Sequence, residues 1–410
     1  MKILLLSQHF WPESFRINEV AQSLIEQGCE VTVLTGKPNY PEGRIYAGYR
    51  IWGVQRERHQ DIGIVRVPLW PRGSGSGLRL ALNYLSFIAS AAILGPWALR
   101  GQRFDVIFVY GTSPILQALG AIALKRIKGV PLVTWVQDLW PDSLQVTGFV
   151  TNRSVLDAVA ALVRWIYRRS DLLLAQSPGF VEPLRAMAGG TPVVYHPNPA
   201  GRFDPAATDE VSGDMALRLK PGFNIVFAGN LGHAQALDQV LLAAELLGPK
   251  SGIRWTLIGS GGCSAELAEQ VRARGLSDRV ELPGRFEPAQ MPAIFEQAGA
   301  LLVILRKNPA TSRTVPSKVQ TYLAVGRPIL AALDGEGAEL IRQSGAGICC
   351  AAEDTRALAD AALALRDLSA AERQRMALAG QRYAREHFSP ELLAHRLIQH
   401  FLNVGQPLNH

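Results

Sequence analysis

The chain is poor in cysteine, with only Cys29, Cys263, Cys349 and Cys350 among 410 residues. These show no CxxC spacing and no histidine at metal-ligand intervals, so neither a disulfide framework nor a zinc site is indicated, and a reducing cytosol fits. Lys and Arg clusters interleaved with aromatics are also missing. The balance of 42 Lys plus Arg against 35 Asp plus Glu, net +7, therefore reads as scattered solvated charge and not as a nucleic-acid surface. It still favours anionic partners such as phosphates or an acidic membrane leaflet. The start, MKILLLSQHF, lacks a basic leader and a small-residue cleavage site, and reads as a first buried strand rather than a signal peptide. Repeats and low-complexity segments are absent.

What is present is an alternation of short apolar runs with longer helical patterns. Lys2 to Leu6, Val31 to Thr35, Ile64 to Val67, Asp105 to Val109, Leu132 to Val136 and Leu172 to Ala175 read as strands. A second set follows at Asn224 to Ala228, Trp255 to Ile258, Arg279 to Leu282, Leu301 to Leu305 and Pro328 to Ala331. This predicts an α/β chain of two Rossmann-like, doubly wound domains, with a boundary in the polar stretch near residues 197–220. The expected division is 1–197, 198–386, and a C-terminal amphipathic helix within 387–410 that carries Leu392, Leu393, Leu397, Phe401 and Leu402 along one face and docks on the first domain. Leu80 to Leu99 is 20 residues without a charge, long enough to span a bilayer. Asn83, Ser86, Ser90 and the Gly95-Pro96 break favour a buried or interfacial helix instead.

Two parallel-sheet domains in series admit a dinucleotide oxidoreductase or an enzyme of nucleotide sugars. A dehydrogenase would place GxGxxG after the first strand, where this chain has Ser7-Gln8-His9-Phe10-Trp11-Pro12-Glu13 and no glycine. Ile258-Gly259-Ser260-Gly261-Gly262 does follow a strand, which is fair evidence for phosphate or close backbone approach.

The run Phe227-Ala228-Gly229-Asn230-Leu231-Gly232-His233-Ala234-Gln235-Ala236-Leu237-Asp238, followed by Val315-Pro316-Ser317-Lys318 through Arg327-Pro328, resembles glycosyltransferase family 4. The N-terminal Ser7 to Glu13, Leu34 to Pro41 and Gln137-Asp138-Leu139-Trp140-Pro141-Asp142 resemble one branch of it, which contains N-acetyl-L-fucosaminyltransferases of O-antigen assembly and is similar to colanic-acid glycosyltransferases. The resemblance implies a GT-B fold whose two domains face a central cleft, an acceptor-binding first domain and a nucleotide-sugar-binding second domain. It also implies retention of anomeric configuration, no cofactor and no required metal. The expected partners are a UDP-linked N-acetylamino sugar, an undecaprenyl-diphosphate-linked saccharide and an anionic membrane at the cytoplasmic face, without nucleic acid.

The residues agree with the metal-free chemistry that the resemblance implies, while several polar positions depart from the family pattern. A DxD pair is absent, so the diphosphate charge must be met by helix-start N–H groups and by cations. Gly229 offers close approach at a strand end, ahead of a helix expected at Gln235. Asn230 and Gln235 stand where many members carry Arg and Lys. Lys318, after Pro316 and Ser317, is the first replacement candidate, and Arg306 or Lys307 the second; a solvated helix-start lysine is the competing reading. The paired glutamates fall on Arg313 and Thr321, so Thr321 either substitutes with its hydroxyl or is structural. Gln137 replaces a histidine before Asp138, which stays a candidate to orient or deprotonate the acceptor hydroxyl, against a loop or helix-cap role. Glu13 is a second catalytic candidate. Gly259 and His233 complete the expected donor set, while His9 and His196 are assigned to packing or hydrogen bonding. A nucleotide-sugar epimerase of the same fold, or a sugar-nucleotide-binding protein without turnover, are the alternatives.

Overall fold

A computed structural model of the chain describes residues 1–73, 77–146, 152–202 and 217–404. The chain divides into two compact units: Met1–Pro197 with the segment from Pro390 onward, and Asn198–Ser389. Most of the polar stretch between the two strand sets lies outside the described residues.

Unit 1 is built on β1 (Lys2–Leu6), β2 (Glu30–Gly36), β3 (Gln55–His59), β4 (Ile62–Val67), β5 (Val106–Gly111), β6 (Leu132–Val136), β7 (Leu172–Ala175) and β8 (Val193–Tyr195), in the order β3-β4-β2-β1-β5-β6-β7-β8. Every pairing is parallel except β3 with β4. The central strands β5 and β6 are buried at every position, which is why they read as nearly continuous apolar runs; buried Thr134 in β6 shares a hydrogen bond with Ser170 Oγ at 2.8 Å. The edge strand β3, Gln-Arg-Glu-Arg-His, carries no apolar residue and gives no sequence signal of a strand; β8 has only three residues.

Helices cover both faces of this sheet. On one side α1 (Arg16–Glu26) packs through Ile17, Val20, Ala21 and Leu24, and the C-terminal helix Pro390–Leu402 packs beside it through Leu393, Ala394, Leu397 and Phe401. Leu402, expected on that face, is 56% exposed, because the buried stripe ends one residue earlier. Phe401 meets Phe108 at a ring-centroid distance of 5.2 Å. Phe401→Leu keeps the apolar burial but loses the ring pair, and is expected to lower the stability of unit 1 by about 1 kcal/mol, read as a shifted urea midpoint. On the other side α2 (Gly77–Ala98) packs on α3 (Ala118–Lys128), where a Cβ on Gly120 would lie 2.9 Å from Ala91 Cβ. Asn83 of α2 is fully buried, accepts from Gln8 Nε2 at 2.6 Å and donates to the Trp70 carbonyl at 2.6 Å. These bonds seat α2 on the unit through its polar side chains.

Unit 2 holds β9 (Phe223–Ala228), β10 (Ile253–Ile258), β11 (Val280–Gly284), β12 (Ala300–Ile304), β13 (Ile329–Ala332) and β14 (Gly347–Cys350), all parallel, in the order β11-β10-β9-β12-β13-β14. Counted within the unit this is the 3-2-1-4-5-6 order of doubly wound nucleotide-binding sheets. The strand order reverses beside β9, and beside β1 in unit 1. In such sheets ligands collect outside the strand carboxyl ends at the reversal.

Candidate functional site

In unit 2 the reversal point is the end of β9. Gly229 follows β9 with a φ of 145°, a conformation L side chains rarely adopt, and a Cβ there would fall 2.6 Å from Lys318 Cε and 2.9 Å from its Nζ. The glycine therefore leaves space for the Lys318 side chain to cross the strand end. Lys318 lies in the first turn of the helix Ser317–Val325, with Pro316 as N-cap. Its ammonium donates to Gln235 Oε1 at 2.8 Å and sits 3.7 Å from the centroid of the Phe227 ring. It makes no ion pair among the described residues. Half-buried without a carboxylate, the lysine has its pKa pushed down to about 7 by burial. Lys318 and Gln235 are 83 positions apart, yet the fold brings the lysine onto the glutamine.

The other expected donor residues divide. Gly259 packs backbone to backbone on the β9 loop: a Cβ there would meet the Gly229 carbonyl, Leu231 N–H donates to the Ser260 carbonyl at 3.0 Å, and Cys263 N–H donates to the Leu231 carbonyl at 2.9 Å. The glycine-rich run thus serves close backbone approach. Asn230 and Ser317 are exposed, and Thr321 is half-buried on the same helix as Lys318. Arg306 has its guanidinium committed. Nε donates to the His233 carbonyl at 3.1 Å, one terminal nitrogen pairs with Asp238 at 2.8 Å and the other with Glu353 at 2.9 Å. It is a strut across the loop ends rather than a free cation. His233 and Arg306 line an open pocket of about 320 Å³ with Asp238, Glu266 and Arg274. The helix expected at Gln235 begins at Asp238, after a short 3-10 turn over His233–Gln235.

In unit 1 the loop after β1 builds a second cluster. Glu13, 2% exposed, accepts the backbone N–H groups of Asn39 and Tyr40 at 2.8 and 2.7 Å on Oε1, and faces His9 Nδ1 at 2.9 Å with Oε2. Both carboxylate oxygens are used, so Glu13 organises the loop and orients His9; it does not present a carboxylate of its own. His9 stacks on Phe15 at 4.9 Å, and its Nε2 makes no hydrogen bond among the described residues. The four-residue spacing of His9 and Glu13 was the available signal, but it lies in a loop and not on a helix face. Asp138 follows β6. Its Oδ2 accepts from Ser113 N–H at 3.0 Å and Ser113 Oγ at 2.9 Å, and the Trp140 indole donates to Ser113 Oγ at 2.9 Å. Burial raises the Asp138 pKa above the ordinary carboxylate range, with the Ser113 bonds pulling the other way. His196 lies under Trp135, ring centroids 5.0 Å apart, and burial first and then nearby His400 push its pKa down to about 3, so it stays a neutral packing group. Among the described residues there is no group of three or more His, Cys, Asp or Glu poised for a metal.

Comparison with known proteins places this geometry. Residues 14–201 match the glycosyl transferase 4-like domain, and residues 222–367 match glycosyl transferases group 1. The chain is 27% identical over 339 residues to the Escherichia coli K12 protein named "Putative colanic acid biosynthesis glycosyl transferase WcaI", spanning 80% of this chain and 82% of that one. Among solved structures, the sucrose-phosphate synthase of Thermosynechococcus elongatus aligns at a TM-score of 0.71 and 16% identity, over 98% of both chains. HepE of Anabaena, solved in complex with UDP-glucose, aligns at 0.69 and 15% identity, over 98% of this chain and 100% of that one. The chain is a glycosyltransferase of GT-B fold, with a glycosyl transferase 4-like domain followed by a glycosyl transferases group 1 domain.

Proposed function

We propose that the enzyme moves a sugar, an N-acetylamino sugar by resemblance, from a UDP-type donor onto a lipid-linked saccharide of bacterial surface polysaccharide, with retention and without a metal, at the cytoplasmic face of the membrane. The observation that carries the donor half is Lys318: a half-buried ammonium at the strand-order reversal, beside a helix N-terminus, with only the neutral Gln235 and a ring as partners among the described residues. A diphosphate supplies the missing anion, and the helix-start N–H groups add to the same field. As the sugar leaves, charge grows on that diphosphate, and a fixed cation there lowers the barrier. Gly229, Pro316 and Ser317 shape this site, and Asn230 and Thr321 are its polar flank. The acceptor half falls to unit 1, where Asp138 and His9 are presented at strand ends.

The colanic-acid relative and the UDP-glucose complex of HepE support the substrate classes. The transferase is distinguished from an epimerase by incubating the protein with UDP-sugars and lipid-linked acceptor: product must form only with acceptor present, and donor must be unchanged without it.

The pKa of Lys318 gives this reading a pH signature. A bound diphosphate favours the charged lysine, so UDP and a proton bind together. Between about pH 6 and pH 7 the lysine and the terminal phosphate are both charged and affinity is at its highest; below that the phosphate gains a proton and affinity falls. Above about pH 7, and beyond the terminal phosphate's own titration near pH 6, UDP binding should take up as much as about one proton, and affinity should fall by up to about tenfold per pH unit until the pKa of the complex is passed. Calorimetry at pH 8 in two buffers of different ionisation enthalpy reads the uptake directly; zero uptake removes the lysine from the site.

A further inference from the structure

The helix α2 is built inside out. Its inward face, Leu80, Asn83, Phe87, Ala91, Gly95 and Ala98, carries the helix's fully buried polar residue, and half-buried Ser86 accepts the Trp70 N–H at 2.8 Å. Its outward face is apolar: Leu78, Leu82, Leu85, Ile93 and Trp97 are 74, 43, 58, 72 and 54% exposed. Their spacing of three to four residues, continued through exposed Ala89, makes one stripe along a 22-residue helix of about 33 Å. A soluble surface helix puts its polar residues on this side. Trp70, which is 52% exposed, flanks the middle of the helix, and Arg100 lies 5.0 Å from the Trp97 ring at its end.

Charge selects the occupant. From residue 62 to residue 104 there are five arginines and no acidic residue. Arg66 is buried and paired with Glu57, and Arg72 is half-buried over the Tyr40 ring, which leaves exposed Arg79, Arg100 and Arg103 on α2 or next to it in the chain. A second copy of the chain would set Arg79 against Arg79 in a parallel pairing or against Arg100 in an antiparallel one, with no carboxylate on the helix to relieve either. The length and composition of α2 would also suit a span, but its inner face is sealed onto unit 1 by Asn83.

We infer that α2 lies in the plane of an anionic bilayer surface, with the stripe Leu78, Leu82, Leu85, Ile93 and Trp97 sunk into the headgroup boundary and the arginines on the lipid phosphates. The tryptophans sit at the depth that amphipathic rings prefer, and the arginines stay hydrated while contacting anionic headgroups. The purpose of such a surface rests on the lipid-linked acceptor proposed above; the surface itself is argued from α2 alone.

Sedimentation of the purified full chain with phosphatidylcholine vesicles, with and without one-third phosphatidylglycerol, tests it. Binding should require phosphatidylglycerol and weaken at high salt, because exposed charges are screened within about 8 Å at physiological ionic strength. Leu85→Glu and Ile93→Glu should each cut partitioning by at least about tenfold, and the neutralising changes Arg79→Gln or Arg100→Gln by roughly fivefold. Thermal melting and UDP calorimetry of the same samples should be unchanged, which separates this surface from the donor site. If UDP fails to bind while the vesicles still do, the donor reading falls and this one stands. A wild-type chain that stays in the supernatant overturns it, as do stripe variants that bind like wild type. So does a dimer in light scattering that Leu85→Glu splits without any vesicle binding, which would assign the stripe to a second copy.

Discussion

Asp138→Asn is expected to lower turnover by roughly 10²- to 10⁴-fold, the range for a lost acid-base group, while UDP affinity stays unchanged. The carboxylate stands at the end of β6 with one oxygen fixed by Ser113 and the other, Oδ1, without a hydrogen bond among the described residues. Trp140 holds Ser113, so the free oxygen has a set direction. Burial raises the pKa of Asp138, and a carboxylate so raised is a stronger base once ionised. The sign follows: the reactive form exists above the raised pKa and is lost as pH falls through it, so the wild type should show an acid limb in its rate profile. The asparagine keeps the Ser113 bonds through its carbonyl oxygen but has no lone pair basic enough to take a proton. A rate near that of the wild type with the same donor and acceptor would show Asp138 to be a loop brace.

Lys318→Ala should weaken UDP binding by about ten- to a hundredfold, equivalent to about 1.5 to 3 kcal/mol for a charged hydrogen bond removed from a phosphate. Stability should hold or rise slightly, since the lysine is half-buried with no ion pair among the described residues and the fold bears its desolvation. That combination separates a ligand cation from a structural one: a structural lysine would lose melting temperature and leave UDP affinity alone. Lys318→Arg is a demanding companion, because the guanidinium is larger than the space beside Gly229, where a single added carbon already meets Lys318 Cε at 2.6 Å.

The strands Lys2–Leu6, Leu132–Val136 and Leu172–Ala175 are legible residue for residue, because a strand buried on both faces is apolar at nearly every position, with Lys2 and Thr134 the two polar residues among them. The polar β3 and the four-residue edge strand β14, Gly-Ile-Cys-Cys, are not legible, since an edge strand needs only a paired neighbour and no buried run. Lys318 stands out in sequence through its Pro-Ser-Lys context, but its partner Gln235 comes from a different βα loop, and contacts between loops leave no local pattern. Arg306 shows the reverse: its place just past a strand suggests a phosphate ligand, and only the fold reveals that Asp238 and Glu353 already hold it. His9 has no ligand-spaced partner in the sequence and so reads as a packing or hydrogen-bonding group; the amides of Asn39 and Tyr40 that fix its partner Glu13 lie beyond β2.

The chain leaves unit 1 at Pro197 and returns to it at Pro390. During synthesis the strands of unit 1 therefore emerge before unit 2, yet the helix that covers Ile17, Val20 and Phe108 is made only after it. At ribosomal rates of about 5–20 residues per second, the whole of unit 2 passes in roughly 10–40 s before that helix arrives. Throughout that interval an apolar face of the nascent first unit stays open, so the interval is one in which a chaperone has a surface to hold.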